Sequence, residues 1–365
     1  MKLLRLFFFA VLAAVPLIAL ACGGDDDDDA GESAGTAPAA ATTTAPAATP
    51  TPTPKPSGSI TVYSGRGESL VKPFFEQFTK DTGIQVNVKY GDSAQLAALL
   101  AEEGSASPAD VFFAQDAGAL GAMTKAGRFE PLPASLLEKV PAAYRAKDGT
   151  WVGVSGRARV IAYNTSLNIA DLPTSVKQLT DPKWKGQVGW APTNASFQAF
   201  VTALRVLEGE AAAENWLRDM IANDVKLYKD NRAIVSAVAA GEIKLGLVNH
   251  YYLWGFIRDQ GEGFAARNHY TAPGDPGSLV NIAGAGILKT SKNKPAAQAF
   301  VEYLLSEQGQ KYFAEQTFEY PLVAGVQADP RLPALDTLEP PAIDLTDLDD
   351  LQGTLALLRK VGALQ

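Results

Sequence analysis

Beyond residue 58 the chain switches repeatedly between short apolar runs and stretches with helical spacing. Ile60-Thr-Val-Tyr63 predicts a strand. Glu68 to Lys80 then sets Leu70, Phe74 and Phe78 four residues apart, with Val71 and Phe75 beside them, so one helix face is apolar. Asp81-Thr-Gly83 predicts the end of that helix, and Val86, Val88 and Tyr90 alternate as a second strand. Ser93 suits a cap for a helix over 94–103. Ala109–Phe113 reads as a third strand and Gly118–Lys125 as a helix. Further on, 152–154, 160–163, 188–190, 245–248 and 286–289 read as strands, and 197–207, 212–221 and 233–240 as helices. Alternating β and α units predict an α/β protein with mostly parallel sheets covered by helices. In such open sheets ligands sit beyond the carboxyl ends of the strands. The chemically unusual segments all follow predicted strand ends: Ser64-Gly-Arg-Gly-Glu68, Ala114-Gln-Asp116, Ser155-Gly-Arg157, Thr193-Asn-Ala-Ser196 and Asn249-His-Tyr-Tyr252. Together they are expected to line one cleft.

The start of the chain has a different character. Lys2 and Arg5 precede an apolar stretch from Leu6 to Ala21, a pattern that predicts a secretory signal over 1–21. The stretch is short for a membrane-spanning helix. Cys22 is the single cysteine of the chain and follows a small residue at the expected cleavage point. That placement resembles the lipobox of bacterial lipoproteins, although Ala19 stands where Leu is usual. The expectation is an extracytoplasmic protein anchored to the membrane by a lipid on Cys22. Residues 22–58, an Asp25–Asp29 run followed by Ala, Thr and Pro, cannot bury enough apolar surface to offset ordering entropy and read as a tether. With one cysteine, disulfides and thiolate metal sites are excluded. Two histidines in 365 residues rule out a multi-histidine site, and a net charge of −8 without a basic stripe argues against nucleic acid. Neither a Gly-x-Ser-x-Gly elbow nor a P-loop occurs.

Asn249-His250-Tyr251-Tyr252 is the most informative stretch. Adjacent residues on a regular strand point to opposite faces, but past a strand end both phenols can turn to one point. A phenolate is a hard oxygen donor, and a small trivalent cation supplies the free energy to remove a proton that ordinarily leaves near pH ~10. Two aromatics packed at an interface are the other reading of the same pair.

Several segments in order carry a resemblance: Ile60-Thr-Val-Tyr63, Gly104–Phe113, Val154-Ser-Gly-Arg-Ala-Arg-Val160, Asp181-Pro-Lys-Trp-Lys-Gly186, Gly241-Glu-Ile243, Asn249-His-Tyr-Tyr252, Asp275-Pro-Gly277 and Glu319-Tyr-Pro-Leu322. As a set, from about Ser59 to Val323, they resemble the periplasmic ferric-binding proteins of iron importers. The resemblance implies an α/β, two-lobed type II periplasmic binding fold with a hinge. It implies a monomeric binding protein, not an enzyme, that carries Fe(III) with a synergistic anion (carbonate or phosphate) to an ABC importer permease. Carried over residue by residue, the metal-binding pair falls on Tyr251 and Tyr252. The anion contacts fall on Asn194 and Ser196 in Pro192-Thr-Asn-Ala-Ser196, on Asn231 and Asn249, and on Arg157.

Two departures stand out. Gly67 occupies the place of a family histidine, and Gln115 that of a family glutamate. The neighbouring carboxylates Glu68 and Asp116 are therefore expected to complete the oxygen shell, with Glu68 as a favourable helix N-terminal charge the alternative. His250 is expected to be packed rather than a ligand. The first lobe is expected over 59–156 plus about 281–332, and the second over 157–280 plus about 333–365. Rival readings are the same fold holding a polyamine, thiamine or phosphonate, and a secreted hydrolase.

Overall fold

The computed structural model describes residues 56–364. The expected signal peptide, the lipidated Cys22 and nearly all of the tether lie outside the described residues. Among the described residues no helix is long and apolar enough to cross a membrane.

The strands are β1 (Ser59–Ser64), β2 (Gln85–Tyr90), β3 (Val111–Ala114), β4 (Val152–Asn164), β5 (Val188–Trp190), β6 (Lys226–Leu227), β7 (Leu245–Asn249), β8 (Ala266–His269), β9 (Val280–Ile287) and β10 (Tyr320–Pro321). They follow the order β2-β1-β3-β9-β4-β7-β5-β6, with β8 and β10 added on β4. β1 pairs in parallel with β2 and β3, and β5 in parallel with β6 and β7. Every partner of β4 is antiparallel to it. β4 is the organising strand. Its first half, through Ala158, pairs with β9 and β10, and its second half, from Arg159, pairs with β7 and β8.

One core surrounds the first half of the sheet. The helix Glu68–Thr82 buries Val71, Phe74, Phe75 and Phe78, the face marked by four-residue spacing. Burying each Phe stabilises by about 2 kcal/mol, and the rings meet Phe113, Phe300 and Phe313 edge-on or tilted. Gly83 ends this helix in the left-handed region, φ 78°, where a side chain would be strained. Two further clusters flank the second half, one around Trp190, Phe200 and Trp216, the other around Ile234, Val238 and Leu253. The helix Leu351–Lys360 straddles both halves: Leu351 and Leu355 join the first core, Leu357 and Leu358 the second.

The structure differs from the sequence reading in three places. The segments 152–154 and 160–163 are one thirteen-residue strand, because β9 and β10 pair across the intervening Ser155-Gly-Arg157. Of segment 286–289 only Gly286 and Ile287 are strand, the end of the longer β9. The antiparallel neighbours of β4 make the sheet mixed rather than mostly parallel. Gly65 serves the site directly: a Cβ there would lie 2.0 Å from Ser93 Oγ, so only glycine lets the exit of β1 close against Ser93, which accepts a bond from the Gln115 amide at 2.9 Å.

Candidate functional site

A cavity of about 460 Å³ opens between the exits of β1, β2 and β3 on one wall and the starts of three helices on the other. Those helices are Ala195–Glu208, Asn231–Ala240 and Tyr251–Gln260, and Asn194, Asp230 and both Tyr251 and Tyr252 line the cavity. Three helix N-termini facing one space give it a positive backbone potential suited to an anion.

Tyr251 and Tyr252 open their helix rather than an irregular loop. Their rings stack with centroids 4.2 Å apart and planes at 28°. Burial, and next the Tyr251 phenol, push the Tyr252 hydroxyl well above its ordinary range; the charge of Arg66 and a bond from Asn231 oppose this. Asn231 is fully buried, and its Nδ2 lies 3.3 Å from both Asn194 Oδ1 and Ser196 Oγ. Asn194 caps its helix by accepting from the Ser196 amide at 3.0 Å and the Ser196 hydroxyl at 2.6 Å. Asn249, the last residue of β7, is buried with no partner for Nδ2. Tyr251, Tyr252, Asn194, Ser196 and Asn231 are thus brought together, with Asn249 at the adjoining strand end.

His250 is packed. Its Nδ1 accepts from the Ala158 amide at 3.1 Å, which leaves Nε2 to donate to the Phe318 carbonyl at 2.8 Å. Burial pushes its pKa down to about 4, so the ring is neutral and has no nitrogen free for a metal.

Three expected residues are not gathered with the tyrosines. Glu68 is solvent-exposed, lies outside the cavity lining and pairs with Lys72 at 3.1 Å, as its position at the start of a helix allows. Arg157, inside β4 rather than at a strand end, is buried and donates to the Ile282 carbonyl at 2.9 Å. The arginine that touches the Ser196 loop is Arg159, two residues on, which donates to the Ser196 carbonyl at 3.3 Å while lying over Phe197 and Phe200. Burial without a carboxylate partner pushes Arg159 down to about 9.

Asp116 is buried as the cap of the helix Ala117–Lys125, its Oδ1 accepting from the Ala119 amide at 3.0 Å. Burial pushes its carboxyl up to about 6, against the pull of that amide and of Arg157. A folded-state value above the unfolded one means the stabilising contribution is complete below pH ~4 and is lost as pH rises through about 6. Relative to Asp116→Asn, the protein is expected to lose about 2 kcal/mol between pH ~4 and pH ~7. Urea unfolding of both proteins at the two pH values measures it, and parallel curves would refute the assignment.

Arg66 and Glu319 lie in segments that the sequence marks, but it gives neither a role of its own. Arg66 is buried, pairs with Glu319, and sets its guanidinium 5.9 Å from the Tyr251 ring centre. Burial works against its charge, but Glu319 and both tyrosines more than compensate and hold it protonated. Ser155 donates to the other Glu319 oxygen. The Ser-Gly-Arg-Gly turn at the exit of β1 was a visible signal; its partner, 253 residues away, was not.

Among the described residues no group of three or more His, Cys, Asp and Glu could hold a metal. Any metal here would rest on phenol oxygens, a donor set that fits a hard cation.

Residues 106–345 match the family model for bacterial extracellular solute-binding proteins. The chain is 37% identical over 310 residues to the Fe(3+)-binding periplasmic protein of Serratia marcescens, covering 84% of this chain and 90% of that one. It is 38% identical to the major ferric iron-binding protein of Neisseria meningitidis serogroup B, with 83% and 92% covered. The crystal structure of iron-bound HitA from Pseudomonas aeruginosa superposes with a TM-score of 0.80 at 37% identity, covering 83% of this chain and 99% of that one. The two α/β halves joined through β4 and β9 are the lobes of the type II periplasmic binding fold, a scaffold for binding rather than for catalysis. The chain belongs to the bacterial extracellular solute-binding protein family, beside the periplasmic ferric-iron-binding proteins it resembles.

Proposed function

We propose that this protein captures ferric iron for uptake, holding it on Tyr251 and Tyr252. A small anion, carbonate or phosphate, would sit on Asn194, Ser196, Asn231 and Asn249. The observation that carries this reading is the stacked phenol pair beside three convergent helix N-termini. The relatives named above support it. Iron displaces the phenol protons, and the anion fills positions on the metal while meeting the amide-rich wall. Arg159 beneath Ser196 suits the anion's charge better than Arg157, which the sequence reading favoured.

In this reading the lobes are 59–156 plus about 281–332, and 157–280 plus about 333–365, with the C-terminal helix packed against both cores. Closure follows from a ligand that touches both walls. The loaded protein is a monomer that delivers iron to an ABC importer permease while tethered to the membrane through a lipid on Cys22. The test is to add Fe(III) with carbonate or phosphate to metal-free protein. A visible phenolate-to-iron absorption band that needs the anion is expected. A colourless protein with no bound iron would overturn the proposal.

A further inference from the structure

The donors described so far leave the site one-sided. Both tyrosines, Asn194, Ser196, Asn231 and Asn249 all belong to the wall built on β5 and β7 and the helices that follow. A ligand held by one wall has no differential affinity for the closed arrangement and does not drive closure.

Two carboxylates line the cavity, Asp92 and Asp230. Asp230 shares the tyrosines' wall, and its Oδ1 is committed to the Ala233 amide at 2.8 Å as a helix cap. Asp92 is on the opposite wall. It follows β2 at the start of the helix Ser93–Glu103, and unlike Asp116 it makes no capping bond with its own helix. Its side chain is exposed toward the cavity, beside Gln115, the carboxamide that stands where the family resemblance called for a glutamate.

We infer that Asp92 is the anionic oxygen ligand that the first wall contributes to iron, in place of Glu68 or Asp116. This rests on the ferric reading above. A bond from Asp92 makes the metal span both walls, so loading and closure become one event.

The test compares the full-length protein with Asp92→Asn and Glu68→Gln, each loaded with Fe(III) and carbonate. Iron affinity is read by competition with citrate, and ligand identity by the visible band and the high-spin Fe(III) EPR spectrum. Asp92→Asn is expected to bind iron on the order of 100-fold more weakly, with a shifted band and an altered EPR pattern. Glu68→Gln should match the parent in all three. Thermal unfolding without iron should be unchanged in Asp92→Asn, since no bond within the protein is lost. Unchanged affinity, band and EPR in Asp92→Asn would overturn this inference while leaving the ferric reading intact. A parent protein that takes up no iron would overturn both.

Discussion

Replacing Tyr251 and Tyr252 together by Phe is expected to abolish the visible band and to weaken iron binding by at least about 10²- to 10⁴-fold. Loss of a group that only supports a metal ligand typically costs 10–100-fold, so losing two direct donors must cost at least the product of two such effects. The fold should survive. Phenylalanine keeps the ring faces that stack 4.2 Å apart, and the helix they open is held by Leu253, Phe256 and Ile257. The interactions sacrificed are the bond between the two hydroxyls and the Tyr252 contact with Asn231, each worth about 1 kcal/mol. Iron titration and urea unfolding of the same preparation therefore separate the two effects. A double variant that binds iron as tightly as its parent would remove the basis of the functional proposal.

Glu319→Gln should have the largest effect on stability. The variant leaves the Arg66 guanidinium buried, with Ser155 now facing a neutral amide. Removing one partner of a buried pair costs about 3–5 kcal/mol, because the remaining charge stays desolvated. The Arg66 Nε and Nη1 atoms have no other partner to fall back on. Urea unfolding of the metal-free variant measures the loss. A change under ~1 kcal/mol would mean that water or a neighbouring group already compensates the arginine, and that Glu319 does not hold it in place.

Much of this architecture was legible along the chain because it depends on local spacing. The apolar stripe of Leu70, Phe74 and Phe78 predicted a helix, and Glu68–Thr82 is one, ended at Gly83 as its backbone freedom requires. The strand at Leu245–Asn249 and the chemistry of the two phenols after it were equally readable. Their backbone was not. The pair was expected in an irregular segment, but His250 anchors to Ala158 and Phe318, and the chain turns straight into a helix.

Sidedness and distant pairing were what the sequence could not show. Arg157 and Arg159 look alike in a sequence. β9 and β10 pair across Ser155–Arg157, which turns an expected strand end into strand interior and leaves Arg159 as the arginine at the Ser196 loop. Asp92 and Asp116 both precede helices. Asp116 turns inward onto its helix amides, whereas Asp92 makes no such bond and remains exposed at the cavity.

By itself, then, the sequence determined the α/β element pattern and the presence of two adjacent hard oxygen donors, because both follow from residues within a few positions of one another. Only the tertiary structure decided which polar groups meet: Arg66 with Glu319 across 253 residues, Asn231 with Asn194 and Ser196, Asp92 across the cavity from the tyrosines. Such encounters depend on how β4 carries the chain between the two halves of the sheet, and side chains that meet only there leave no periodic trace along the chain.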